Sequence, residues 1–265
     1  PSEKKLDNLL EIPFEELKIE DIGFQKTDLT FEIPEADLHI IKTYEETRNF
    51  PAVKGTTQLG VNLRFGTISV RKLAKIAKEN NLTFLKELIW REFFMQILYH
   101  FPKVVNHSFK AKYDAIPWEN NPEFLEKWKA GKTGFPIVDA GMRELNATGF
   151  MHNRVRMITA SFLIKHLLTD WRIGEAYFAE KLMDYDLSAN NGNWQWCASS
   201  GCDAAPYFRI FNPDEQQKKF DPDFKYIKKW IPEFGTKYYP KPIVEHKKAR
   251  EKVLKVYKEA LDNLD

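Results

Sequence analysis

At 265 residues and 43% hydrophobic content, the chain is long enough to bury a substantial core, as one large domain or one and a half. No apolar run reaches the ~18–20 residues that span a bilayer, and the acidic opening PSEKKLDNLLEI lacks a signal peptide's apolar stretch, so a cytoplasmic, non-membrane protein is expected. The net charge of +2 is uneven: residues 1–35 hold ten acids and four bases, which leaves +8 on the remainder, a balance that suits a polyanionic partner without requiring one.

Residues 1–35 mix prolines and acids with short apolar patches at Leu9-Leu10 and Ile22–Phe24, and they read as a linker or connecting segment. The chain begins at Pro1 rather than methionine, which fits a fragment of a longer protein. From residue 36 to 265 the pattern is helical. Thr67 or Ser69 can cap SVRKLAKIAKEN, whose Val70, Leu73, Ile76 and Ala77 form an apolar stripe. Thr83 opens FLKELIWREFFMQILYH, which stops before Pro102. Asn121-Pro122 begins the next helix, FLEKWKA, with proline at its first position and Gly131 just past its end. Two more run from Pro136 to Thr148 and from His152 to Thr169, separated by Gly149, and GEAYFAEKLM follows Ile173.

Period-two alternation is nearly absent, so no sheet is expected. The fold class is all-α, with long irregular loops near 103–118 and 184–245, and loops of that length inside a compact domain usually carry function. The 20 Phe, 10 Tyr and 7 Trp imply either a heavily aromatic core or flat rings kept for flat ligands. Cys197 and Cys202, in WCASSGC, match no common zinc spacing and read as free thiols.

Four segments concentrate chemistry. In ELIWREF, Glu87, Trp90, Arg91 and Phe94 fall on one helical stripe. A carboxylate, an indole and a guanidinium there could read and stack on a base, or the stripe could be an ordinary amphipathic face with a Glu87–Arg91 pair. In MHNRVRM, Asn153, Arg154 and Met157 share an arc of about 100°, with Arg156 off its other edge. Arginines in a first helical turn oppose the helix dipole, which points to an anionic partner or to plain solvation, and Arg156 could pair with an internal carboxylate. In MDYDLSANNGNWQW, Asp184 and Asp186 flank a tyrosine. They could bind a metal, although no His or further acid sits nearby, or accept hydrogen bonds from ribose hydroxyls, a heterocycle's N–H or Arg156. FPAVKGTTQLGVNLRFGTIS is rich in small and hydroxyl residues, and Gly55, Thr56, Thr57 and Gly60 suit a phosphate-cradling loop, though it is neither GxGxxG nor a P-loop.

Taken in order, RNFPAVKGTTQL, ELIWREF, GKTGFPIVDAGMRELNATGFMHNRVRM, DYDLSANNGNWQW and DAAPYFRIFNP resemble the characteristic runs of the photolyase/cryptochrome flavoproteins, over about residues 36–246. That family joins an N-terminal α/β antenna domain to a C-terminal helical FAD domain, and the resemblance covers the second. It implies FAD in a deep pocket, met by Tyr44 and by the loop Thr56, Thr57, Gln58, Leu59 and Gly60 near its phosphates. Phe84 stands where relatives often have Trp. Arg156, Asp184, Asp186 and Asn190 match positions around the isoalloxazine ring, with Asn190 facing N5, and asparagine there resembles the repair enzymes. Trp194, Trp171 and Trp118 match the electron relay from the surface to the flavin.

Arg48, Glu87, Trp90, Arg91, Phe94, Asn153, Arg154, Met157, Trp196 and Gln216 match the DNA and lesion site. Within it the resemblance implies that Trp90 and Trp196 flank a flipped pyrimidine dimer, that Glu87 hydrogen-bonds its bases and that Arg48 holds the backbone. Six-four photolyases and animal cryptochromes have histidines in the MHNRVRM region as proton donors. Asn153 and Met157 cannot serve so, and a cyclobutane dimer in UV-damaged DNA, repaired by a monomer, is the expected substrate. A cryptochrome-type photoreceptor is the alternative. His166 departs from the family by standing where several relatives have an acid near the flavin-side arginine, a placement that would alter charge there.

Overall fold

The computed structural model describes residues 17–28 and 35–262, and the chain divides into two units, Pro1–Ile33 and Pro34–Asp265. In the first, Ile19–Ile22 form a single 3-10 turn. Leu9-Leu10 lies outside the described residues.

The second unit is built from helices α1 (Leu38–Lys42), α2 (Tyr44–Thr47), α3 (Gly60–Phe65), α4 (Val70–Asn80), α5 (Leu82–His100), α6 (Pro122–Lys129), α7 (Pro136–Thr148), α8 (Asn153–Lys165), α9 (Trp171–Lys181), α10 (Leu187–Ala198), α11 (Pro213–Phe220), α12 (Lys225–Trp230) and α13 (His246–Asp262). Among the described residues there is no strand, and no helix is long and apolar enough to cross a membrane.

Side-chain caps decide where these helices start. Ser69 rather than Thr67 caps α4, accepting from the Lys72 N–H at 3.3 Å. Asn81 caps α5 through the Phe84 N–H at 3.0 Å, so the helix opens before Thr83. Asn121 caps α6, with Pro122 first in the helix. Asp170 accepts from the Arg172 N–H at 3.0 Å and starts α9 at Trp171, ahead of Ile173. α8 stops at Lys165, short of Thr169.

The expected loop over 184–245 is corrected: α10, α11 and α12 lie inside it. The physical reason is the environment of α10, which packs on α5, α8 and α9 at once. Ser188, Asn191, Trp194, Gln195 and Cys197 are all buried, and because polar residues stand on the buried side as well as at the exposed Asn193, no apolar stripe imprints a helical period on the sequence. Its buried amides find partners outside the helix. Asn191 and Gln195 each donate to the Val104 carbonyl at 3.0 Å, and Gln195 Oε1 accepts from the Phe109 N–H at 2.8 Å. These bonds pin the stretch 103–118, which holds two 3-10 turns and is otherwise irregular.

The main core gathers Trp128, Phe162, Trp171, Phe178 and Trp194 with the apolar faces of α7, α8 and α12. Gly174 lets α9 approach it, because a Cβ there would run into the Trp194 ring. A second cluster (Ile41, Leu59, Leu73, Ala77, Phe84, Leu88) seats α4 and α5, and a third (Ile116, Leu168, Val253, Tyr257) seats α13.

Candidate functional site: a cleft between the phosphate-type loop, α5, α8 and α10

Three hollows of about 580, 860 and 1150 Å³, counting space open to solvent, run into one another, and Asn153 lines all of them. The inner hollow lies against α8 and α10 and is lined by Arg156, Met157, Asp184, Asp186, Asn190, Trp194 and Trp196 among others. The second lies over the 56–60 loop, Tyr44 and Phe84, and the third opens at Arg48, Glu87, Trp90, Phe94 and Arg154.

At the inner end, charge is set by pairs. Arg156 donates to Asp184 Oδ2 at 2.9 Å and to the Met151 carbonyl at 2.6 Å. Asp184 Oδ1 is buried with no partner among the described residues. Gly60 makes room for this carboxylate, since a Cβ at 60 would lie 2.7 Å from Asp184 Oδ2. Asp186 has a structural duty: its Oδ1 caps α10 through the Ala189 N–H at 3.1 Å and accepts from the Ser188 hydroxyl. Among the described residues no group of three His, Cys, Asp or Glu forms a metal-holding cluster. The Asn190 Nδ2 donates to the Glu175 carbonyl at 3.0 Å and to its Oε1 at 2.8 Å, which fixes the amide and leaves Oδ1 without a partner among the described residues.

The 56–60 loop is rich in unused donors. The backbone N–H groups of Thr56, Thr57, Gln58 and Leu59 and both threonine hydroxyls have no partner among the described residues. Gln58 is held at φ +54°, a conformation that side chains rarely adopt and that turns consecutive N–H groups to one side. Leu59 is buried in the second core cluster and anchors the loop from beneath. Phe84 meets Tyr44 edge-on at 5.1 Å, and burial together with Glu87 pushes the Tyr44 phenol up to about 12, so it stays a protonated donor.

The mouth is built differently. Arg48 forms an ion pair with Glu87, and Arg91 donates to the Leu63 carbonyl at 3.2 Å, so the Glu87–Arg91 pair of the amphipathic reading does not form. Trp90, 41% exposed, stacks on Phe94 with ring centroids 6.0 Å apart. Arg154 bonds a neutral partner, Asn49 Oδ1 at 2.6 Å, and lies over the Phe220 ring at 4.5 Å. Burial first, then the nearby Arg48 and Arg209, lower its pKa.

Arg209 was not singled out by sequence reasoning, although it lies within the run DAAPYFRIFNP. Its guanidinium sits 5.9 Å from the centre of the Trp196 ring, and the available signal was an arginine set among aromatics. Neither Arg209 nor Gln216 lines any of the three hollows. His152 caps α8, its Nδ1 accepting from the Arg154 N–H at 3.2 Å. Burial and the neighbouring arginines hold it down to about 4, neutral behind the site.

His166 is a correction. It lines none of the cleft, stacking on Phe162 at 4.8 Å, and its Nε2 lies 2.8 Å from His246 Nδ1. Burial first, then His246, hold it down to about 3, so it places no charge beside Arg156. Of the three relay candidates, Trp194 lines the inner hollow and is 2% exposed, Trp171 is 1% exposed, and Trp118 is half-buried.

Residues 84–237 match the family described as the FAD binding domain of DNA photolyase. The deoxyribodipyrimidine photo-lyase of Escherichia coli K12 is 48% identical over 246 residues, 82% of this chain and 52% of that protein. A solved archaeal photolyase from Sulfolobus tokodaii, described with two FAD molecules, superposes with a TM-score of 0.78 at 44% identity, covering 86% of this chain and 54% of its own. A Synechocystis cryptochrome superposes with a TM-score of 0.75 at 31% identity, covering 82% and 52%. The chain thus spans about half the length of the relatives it matches.

Proposed function

Because the chain belongs to the DNA photolyase family, whose FAD-binding domain it carries, we propose that it is the catalytic half of an enzyme that reverses cyclobutane pyrimidine dimers in DNA with light. One observation carries the reading: the inner hollow and the mouth share Asn153, Met157 and Trp196. A ligand held at Arg156, Asp184 and Asn190 would therefore lie beside one held between Trp90 and Trp196.

The inner residues fit a flavin. The buried, unpartnered Asp184 Oδ1 needs a donor, which a heterocycle N–H or a ribitol hydroxyl provides. Asn190 Oδ1 offers an acceptor, and the unpartnered N–H groups and hydroxyls of Thr56, Thr57 and Gln58 suit a pyrophosphate. When bound and reduced, FAD supplies the excited-state electron that opens the cyclobutane ring and receives it back.

The chain's own residues orient, exclude water and hold charge. Trp90 and Trp196 stack on the extruded bases, and a dimer is already poorly stacked, which lowers the cost of extrusion. Glu87, held by Arg48, accepts hydrogen bonds from base edges, and Asn153 and Met157 pack between substrate and cofactor. Arg48, Arg154 and Arg209 hold phosphates. Trp194, Trp171 and Trp118 form the relay that recharges the flavin, running from a buried indole to a half-buried one. An antenna-binding α/β domain is the partner this reading expects, in keeping with the span of about half its relatives.

The test is illumination of a dimer-containing oligonucleotide bound to FAD-loaded, chemically reduced protein. Restoration of the separate pyrimidines is expected. Dimers that persist with FAD fully reduced would overturn repair and favour a photoreceptor of the cryptochrome kind.

A further inference from the structure

The middle indole of the relay has an unusual neighbour. Arg172 lies over the Trp171 ring, its guanidinium carbon 4.7 Å from the ring centre. An electron vacancy on an indole is a positive charge, and a bare guanidinium at that distance would disfavour it on the order of a hundredfold. The relay would stall at its middle step.

Two carboxylates hold this guanidinium. Asp114 accepts from Nη2 at 2.6 Å, and Asp170 accepts from Nη1 at 3.2 and 3.3 Å. Nε donates to the Asn106 carbonyl at 2.8 Å, so the group is fixed on all sides. The side chains of Asp114 and Asp170 are only 29% and 21% exposed, which limits screening by solvent. Burial alone would raise the Asp114 carboxyl, but hydrogen bonds from Ser108 and Arg172 hold it below the ordinary carboxylate range, so it stays charged. The cluster has a net charge of −1.

We propose that Asp114 and Asp170 are positioning residues of the light-driven relay, which cancel the charge of Arg172 so that an electron vacancy can pass through Trp171. The proposal rests on the relay reading given above. Each step moves one electron inward from one indole to the next, with no bond made or broken. The oxidant is light-excited oxidised FAD, and an external thiol replaces the electron at Trp118. A plain structural clamp between the 103–118 stretch and α9 would use the same hydrogen bonds but would be indifferent to charge.

Asp114→Asn and Asp170→Asn keep an oxygen for the Ser108 N–H and for the helix cap, and they lose the charge together with one acceptor oxygen each. Transient absorption on FAD-loaded, oxidised protein reads the yield of long-lived tryptophan radical, with FAD content and thermal midpoint recorded alongside. Each variant is expected to lower that yield at least about threefold, and the double variant further. Adding Arg172→Met to the double variant should restore it, because the charge to be cancelled is gone. Wild-type yield in the double variant, with Trp171→Phe abolishing the radical, would overturn the proposal and leave the relay standing. So would a loss that Arg172→Met does not reverse, which would mark a clamp. Wild-type yield in Trp171→Phe would overturn the relay reading itself.

Discussion

The two ends of the cleft handle charge in opposite ways. Inside, Arg156 is matched to Asp184, Asp186 to a helix cap and Asn190 to Glu175, on α8 and α10 that pack into the main core. At the mouth, Arg48, Arg91 and Arg154 face two acids, Glu87 and Asp203, and Trp90 stands 41% exposed. An end with preset polarity suits a resident cofactor, whereas surplus cation around exposed rings suits a polyanion that comes and goes.

The comparison breaks most sharply at Arg156. Arg156→Ala leaves the Asp184 carboxylate buried without its ion pair, so the protein should lose about 3 kcal/mol of stability and FAD affinity should fall about a hundredfold. Denaturant unfolding and flavin titration measure both. Near-normal FAD binding would mean that the inner polarity is not set by this pair.

Lys165 tests the same body of the fold through pH. It is buried on α8 behind Cys197, with its Nζ bonded to the Ser199 hydroxyl at 3.1 Å and lying 3.7 Å from the centre of the Tyr257 ring. Burial holds its pKa down to about 7, against an ordinary 10.5. Between those values the unfolded chain binds a proton that the folded chain does not, so stability should rise as pH climbs from about 7 towards 10. Over two pH units the gain is about 2 kcal/mol, and Lys165→Met should flatten it. Equal slopes in both proteins would show that Lys165 is charged in the fold.

The mouth should respond more mildly and only towards DNA. Trp90→Ala should lower the preference for damaged over undamaged strands about tenfold while FAD binding is unchanged, as read by competition binding. Arg48→Ala and Arg154→Ala should each weaken binding to both kinds of DNA by a few fold and reduce the salt slope by about one. If arginine and tryptophan variants alter the damage preference equally, the division of labour at the mouth is wrong.

The helical fold and most of the cleft are legible in the chain itself, for local reasons. Ser69, Asn121 and the stripe of α4 announce their helices because each has a solvated face or a capping side chain. The MHNRVRM and DYDLSANN segments stand out because arginines at a helix start and close-set carboxylates need partners. α10 is invisible as a helix because its buried side carries polar as well as apolar residues, and its buried amides bond outside it. The resemblance to photolyases supplied the rest of the site, including residues such as Tyr44 and Phe84 that no local pattern marks.

Pairing lay beyond local reading. Four residues separate Glu87 from Arg91, yet Arg48, 39 residues away, takes the carboxylate. His166 meets His246 from α13 rather than Arg156, and Arg209 reaches the Trp196 ring while Gln216 lines none of the hollows. Helical periodicity fixes which side chains share a face of one helix. Which face meets which, and therefore which charge is neutralised and which remains for a ligand, follows from how the helices pack on a common core, and that depends on contacts across the whole chain.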